Sequence, residues 1–436
     1  MPTVSFHTLG CKLNFAETSS IGRQFIDHGF RVVGNDEPAD VCVINTCSVT
    51  SRADRECRQI IRRAVRTSKN PFVIVTGCYA QLAPEEVASI EGVTLVLGAR
   101  EKFSLFDYMG DLEKKLYPHV FVSDIETVDN FGPAYSREVG DRTRAFLKVQ
   151  DGCDYNCAFC TIPLARGASR SQSVEVCVAQ ARELTGQGYR EIVLTGVNVG
   201  DYGKKSDSNL LTLLHKLVAV DGLDRVRISS IEPNLLTDEI IDFVASEEKM
   251  CKHFHIPLQS GTDGILRKMR RRYTTGDYAD RVHHLRELIP DCGIGVDVIV
   301  GFPGETDLLF EQTSLFLKEL PISYLHVFTY SERPNTPAAA FGNPVEPKVR
   351  FKRNEVLRLL GLKKKRAFYE SMIGRTELVL FEGDVEGSTR CGFTSNYVRV
   401  GVPVESAAEN ALVSVEITGI ENVKCVGSVV HEQVVA

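Results

Sequence analysis

No basic stretch followed by an apolar run opens this sequence, and no eighteen consecutive apolar residues occur anywhere in its 436 residues. The first absence argues against a secretory leader and the second against a membrane-spanning helix, so a cytoplasmic location and no membrane partner are expected. Positive charge is not in excess either. Fifty-one Lys and Arg stand against 57 Asp and Glu, a net charge of −6 that excludes a uniformly basic surface. Thirteen cysteines are present, an odd number and a high one. In a reducing compartment they read as metal or redox sites rather than a disulfide framework. Cys11, in "HTLGCKLN", is the sharpest case, because no other cysteine lies within thirty residues of it.

What is present falls into three blocks of an α/β chain. Over residues 1–125, apolar β-branched runs end in a small turn and give way to helix-forming sequence. The instances are "VSFHTLGC", "DVCVINTC", "FVIVTGC" and "VTLVLGARE". That alternation predicts an N-terminal parallel α/β domain, its sheet covered on both faces. Cys11, Cys47 and Cys78 each follow the carboxyl end of a predicted strand, the edge where open α/β sheets bind ligands. Three thiols 36 and 31 residues apart thus have a route to one place in space.

The second block, 139–370, offers six candidate strands, "RAFLKVQ", "EIVLTGV", "RVRISSI", "HFHIPLQ", "GVDVIVGF" and "YLHVFTY", separated by helical stretches. Six strand–helix units predict a partial (β/α)6 barrel with function at the carboxyl ends of its strands. The third block, 371–436, alternates with Gly and Asn in its turns and predicts a small antiparallel β-barrel. Just before it, residues 345–366 hold nine Lys or Arg against two Glu, a local charge of +7.

Behind the first predicted barrel strand, "CDYNCAFC" supplies Cys153, Cys157 and Cys160 with spacing C-x3-C-x2-C. Thiolates on one short loop bind three irons of a four-iron cluster and leave the fourth open. A structural zinc site is the plain alternative, but closed zinc sites take four ligands, typically in C-x2-C pairs. This motif in this position resembles the radical S-adenosylmethionine (SAM) enzymes. The resemblance implies that the open iron takes the amino and carboxylate groups of SAM, whose reductive cleavage yields a 5'-deoxyadenosyl radical. "GFPGET" (301–306) is similar to a loop of that superfamily, and Phe159 resembles the aromatic residue near the adenine of SAM.

The match extends over essentially the whole chain. "TLGCKLN", "NTCSVT" and "TGCYAQ" are similar to the N-terminal motifs of the methylthiotransferases, a radical SAM family. "IPLARGASRSQS", "SSIEP", "HIPLQSG" and "YSERPNTPAA" match its barrel loops, and the third block resembles its TRAM domain. The resemblance implies two [4Fe-4S] clusters, the second on Cys11, Cys47 and Cys78, together with an electron donor and a sulfur donor. Asn198, Ser230, Glu232 and Gln259 are the strand-end residues expected to grip SAM, with Arg166 near its carboxylate. For each, a barrel-top residue satisfying loop backbone is the plain alternative. Cys42, Cys57, Cys177, Cys251, Cys292, Cys391 and Cys425 read as small buried hydrophobes.

Three basic elements favour RNA: the +7 segment, "RKMRRR" (267–272), and a helix with six Arg over 52–66. Taken singly each reads as a solvated face; beside a TRAM-like barrel they point to a structured RNA, and the family resemblance implies that it is the anticodon stem-loop of a tRNA. In the family, substrates are modified adenosines beside the anticodon or an aspartate of a ribosomal protein. "TLGCKLN" is most similar to the group acting on N6-threonylcarbamoyladenosine; the isopentenyladenosine group tends to have Gln and Met after the cysteine. Lys12 suits the carboxylate of a threonylcarbamoyl group, a surface lysine being the plain alternative. A reading of another class is a non-catalytic iron–sulfur RNA-binding redox sensor, which would not need the barrel loops.

Overall fold

A computed structural model describes residues 1–110, 117–128, 131–132, 134–135 and 143–430. The domain boundary expected at residue 139 lies outside the described residues. In the N-terminal block, β1 (Thr3–Thr8), β2 (Arg31–Val32), β3 (Val41–Thr46), β4 (Phe72–Gly77), β5 (Val93–Leu97) and β6 (His119–Phe121) form one parallel sheet. Its order is β2-β1-β3-β4-β5-β6. Successive side chains of a strand point to opposite faces, and here each face has its own core. Cys42, Ile44, Val73 and Val75 pack with Cys57 and Ile61 of α2 (Ser51–Thr67). Val41, Val43, Phe72 and Ile74 pack with Ile21 and Phe25 of α1 (Lys12–Asp27). Helix α2 is capped by Thr50, whose side chain accepts from the Ala53 N–H at 3.1 Å.

The strands of the second block are β7 (Arg144–Lys148), β8 (Gln150–Asp151), β9 (Arg170–Ser171), β10 (Glu191–Thr195), β11 (Arg225–Ile228), β12 (His253–His255), β13 (Gly293–Val300) and β14 (Tyr324–Thr329), of which β8 and β9 stand outside the barrel. Strands β11-β10-β7 and β12-β13-β14 form two parallel three-stranded halves, and a parallel bridge between Val226 and Met250 joins them. The short β8–β9 ribbon carries the cysteine loop. Helix α1 lies against β7, where Ala16 meets Phe146 and Val193. The basic segment forms the front of a helix, Pro347–Glu370, that packs along β14. Two of its charges face inward. Arg350 donates to the Tyr330 carbonyl at 2.9 Å, and Arg353 pairs with Glu305 of the "GFPGET" loop at 2.7 Å.

At the C-terminus, β15 (Thr376–Glu386), β16 (Thr389–Thr394), β17 (Arg399–Pro403), β18 (Leu412–Glu421) and β19 (Lys424–Val429) close a barrel in the order β15-β16-β17-β19-β18. The expectation of a wholly antiparallel barrel is corrected here: β17 and β19 run parallel, because closure brings those two together. Val379, Phe381, Val400, Val415 and Ile417 fill it. It docks beneath the larger barrel, where Arg227 donates to the Ser395 carbonyl at 2.9 Å and Arg225 to the Phe393 carbonyl at 3.0 Å. Among the described residues no helix is long and apolar enough to cross a membrane. The seven cysteines outside the two triplets are all buried.

Candidate active site between the domains

Strands β1, β3 and β4 are neighbours in the sheet, so the residues after them share one edge. Cys11 caps α1, Cys47 follows β3, and Cys78 starts α3 (Cys78–Leu82). The turns are tight. Gly10 has φ of +96°, and a Cβ on it would meet Cys47 Cβ at 2.7 Å and Sγ at 2.9 Å. Asn14 fastens the loops, its amide donating to the carbonyls of Leu9 at 2.7 Å and Thr46 at 3.0 Å. Burial, and then the neighbouring Cys78, push the Cys47 thiol up to about 12. Cys78 is likewise raised by burial, against the pull of the Arg166 guanidinium.

The second triplet sits on the loop after β8. Peptide N–H groups point at its sulfurs: Tyr155 at Cys153 and Ile162 at Cys160, each at 3.4 Å. Arg271 donates from Nη1 to Cys157 Sγ at 3.1 Å and pairs with Glu232 through Nη2. Burial raises Cys153 and Cys160 to about 12. A single tetrahedral ion with Zn–S of about 2.3 Å needs sulfurs about 3.8 Å apart. Among the described residues, the trio of metal-binding donors all within 4.8 Å of one another is His255, Asp297 and His326, not either cysteine set. Three thiols with N–H donors aimed at them suit a cuboidal iron–sulfur cluster.

The remaining nominated residues are distributed as follows. Asn198 is buried, donates to Asp201 at 3.0 Å and keeps its Oδ1 without a hydrogen-bond partner. Gln259 has φ of +70°, a strained conformation for a non-glycine residue, at the end of the fourth barrel unit. Phe159 packs edge-on against Phe302, with ring centroids 6.4 Å apart. Ser230 lines a cavity at the barrel mouth. Glu232 is engaged by Arg271.

Arg166, expected near the cofactor carboxylate, is held by protein partners on both sides of the domain boundary. Its guanidinium is buried and turned toward the N-terminal domain, 2.9 Å from both Glu17 and Asp151 and 2.6 Å from Asn14 Oδ1. Lys102 and Lys148 complete this set, at 2.7 and 3.2 Å from Glu17. A second interdomain clamp joins Arg333 to Asp54 at 2.6 Å and to Ser48 at 2.7 Å. Sequence reading missed Glu17, Arg271 and Arg333. Arg271 in particular stood inside "RKMRRR", where it counted as a surface charge; the motif "YSERPNT" was the available signal for Arg333.

Lys12 is half-buried, and burial lowers its ammonium while Tyr397 works the other way. It lines the cavity that Ser230 lines, with Cys11, Thr195, His255, Tyr324, His326, Lys365 and Tyr397, a space of about 760 Å3. The sheet edge of one domain and the strand ends of the other therefore open onto the same space.

Comparison with known proteins agrees with this architecture. Residues 147–317 match the Radical SAM superfamily and residues 3–98 the uncharacterized protein family UPF0004. The threonylcarbamoyladenosine tRNA methylthiotransferase MtaB of Bacillus subtilis (strain 168) is 42% identical, over 92% of this chain and 90% of its own. The tRNA-2-methylthio-N(6)-dimethylallyladenosine synthase of Syntrophotalea carbinolica is 34% identical over 90% of each chain. Among solved structures, a radical SAM methyltransferase, TsrM, from Kitasatospora setae shares the fold with a TM-score of 0.59 at 16% identity. That match covers 78% of this chain and 77% of the other.

Proposed function

The chain belongs to the radical SAM methylthiotransferase family, and within it we propose that it converts N6-threonylcarbamoyladenosine beside the anticodon of a tRNA to the 2-methylthio derivative. One observation carries the reading: Cys11 and Lys12 of the N-terminal sheet edge line one cavity with Ser230 of the barrel mouth. The choice of base is supported by relatives named for threonylcarbamoyladenosine at 42% and 40% identity, against 34% for one named for dimethylallyladenosine.

In this reading Cys153, Cys157 and Cys160 would hold one [4Fe-4S] cluster and Cys11, Cys47 and Cys78 a second, each with one iron lacking a protein ligand. When bound, the clusters and SAM supply a carbon-centred radical and a methylated sulfur. The chain's own residues do the rest. Arg271 holds Cys157 and Glu232 in one hydrogen-bonded unit. Asn198, Ser230 and Gln259 offer polar groups at the strand ends, and Phe159, packed on Phe302, offers an aromatic face. The buried set around Glu17 fixes the distance between the two triplets, and such positioning is worth roughly 7–11 kcal/mol of a barrier. Packing of α1 against β7 keeps water from the radical path. Lys12 takes the carboxylate side of the base.

RNA phosphates would meet the exposed Arg52, Arg55, Arg62 and Arg66 of α2 and Lys352, Lys363 and Arg366 of the basic helix. An electron donor and a sulfur donor are separate partners. Mass spectrometry of tRNA nucleosides from cells with and without the gene tests the reading. Loss of 2-methylthio-N6-threonylcarbamoyladenosine supports it; loss of the isopentenyl counterpart instead would overturn the choice of base.

A further inference from the structure

The cavity shared by Cys11 and Ser230 continues into the lumen of the barrel, and its charge is one-sided. Lys12, Arg358, Lys365 and Arg399 line it, with His255 and His326, and no carboxylate is among the described lining residues. Arg399 is paired with Glu386 at 2.7 Å. Lys12, Arg358 and Lys365 have no ion-pair partner among the described residues. Cations gathered around one partly desolvated space without counter-charge are costly, and an arriving anion relieves that cost.

Tyr324, Leu325 and His326 of β14 line the cavity, while Val327 packs with the shell core. On β13, Gly295 leaves the space that the Tyr324 ring occupies; a Cβ there would approach its hydroxyl to 2.3 Å. Two residues on, Asp297 is hydrogen-bonded to His255 Nε2 at 2.8 Å and lies within 4.8 Å of a ring nitrogen of the exposed His326, which lines the cavity. On the helix that packs along β14, the Lys365 ammonium sits 5.2 Å from the centroid of the Tyr369 ring, which orients it.

We infer that Lys365 and His326 form the subsite that receives the carboxylate of the threonylcarbamoyl group, an inference that rests on the substrate reading above. Lys12 contributes from the sheet edge, so the acid is met from two sides of the lumen. A divalent ion on His255, Asp297 and His326 is the weaker occupant, because Lys12 and Lys365 would repel it.

The test uses anticodon stem-loop RNA carrying N6-threonylcarbamoyladenosine, the same RNA with that carboxylate as its methyl ester, and cluster-loaded enzyme. Affinity and 2-methylthio product are both read, with iron content and melting temperature checked for each variant. Wild type is expected to bind the acid about tenfold more tightly than the ester, the worth of one charge-assisted hydrogen bond. Lys365→Gln and His326→Phe each reduce that preference to about threefold or less, and Lys365→Arg retains it. Equal weakening of both RNAs by Lys365→Gln overturns the inference and gives the cation to an RNA phosphate. An unchanged preference in both variants overturns it as well. Should His326→Phe not fold, the Lys365 pair decides alone. Wild type that makes product from isopentenyladenosine RNA and none from the acid overturns the substrate reading and the subsite with it, whereas product from the acid with an unchanged preference in the variants overturns the subsite alone.

Discussion

Arg166 Nη1 lies 2.9 Å from Glu17 Oε1, with the two side chains 3% and 0% exposed. Glu17 belongs to the helix that starts behind Cys11, and Arg166 to the helix Ile162–Arg166 that starts behind Cys160. One buried ion pair thus ties the two cysteine sets together. Removing the cation leaves Glu17 and Asp151 with two lysines in a dry interior. Arg166→Met is expected to lower unfolding stability by about 3–5 kcal/mol, read by denaturant titration. The double variant with Glu17→Gln should lose less than the sum of the two singles, because the pair is lost once.

Gly10→Ala tests the tight turn behind β1. Its methyl group would fall on Cys47, and φ of +96° is strained for alanine. The variant should assemble the cluster on Cys153, Cys157 and Cys160 but not the other. Iron and acid-labile sulfide per chain should fall to about half of the wild-type value, since each triplet suits one four-iron cluster. Undiminished iron would contradict the placement of Cys47 as a ligand.

Arg271→Met removes the N–H donor at Cys157. Hydrogen bonds to cluster sulfur raise the reduction potential, so the variant's cluster should be harder to reduce. A potentiometric titration followed by electron paramagnetic resonance reads the shift. A potential equal to wild type would show that the contact does not persist once iron is bound.

Acid should loosen the floor of the barrel. Burial pushes the Glu191 carboxyl up, but Arg227, with Arg144 and Arg225, outweighs burial and holds it at about 2. A carboxylate held below its unfolded value of 4.5 gives its full stabilisation above that pH and loses it as pH falls toward 2. Wild type should therefore lose melting temperature steeply between about pH 5 and 2. Glu191→Gln, less stable near neutrality because Arg227 loses its counter-charge, should show a flatter profile across the same range.

The parts of the fold legible in the sequence were those buried on two faces. Strands β1, β3, β4 and β5 show as apolar runs because α1 and α2 cover the sheet from both sides. Strands β2 and β6 have two and three residues, mostly exposed, and leave no run to read. The six barrel strands and the two cysteine sets were visible for the same reason, as runs and as spacing. Charged residues were not so legible. Arg271, Arg350 and Arg353 sit in basic stretches, and composition cannot distinguish a solvated arginine from one buried against Cys157, Tyr330 or Glu305. The protein partners of Arg166, Glu17 and Asn14, were not legible because they lie about 150 positions away in the chain. The lumen subsite depends on β12, β13 and β14 meeting a helix from beyond the barrel, which no local pattern displays.

The central claim is that two cysteine triplets do separate work on one substrate. Its most direct test is the Cys11→Ala, Cys47→Ala, Cys78→Ala variant, reduced and incubated with SAM and tRNA carrying N6-threonylcarbamoyladenosine, with 5'-deoxyadenosine and 2-methylthio nucleoside measured together. The account predicts that 5'-deoxyadenosine still forms while the 2-methylthio product disappears. Continued formation of the 2-methylthio product would contradict it.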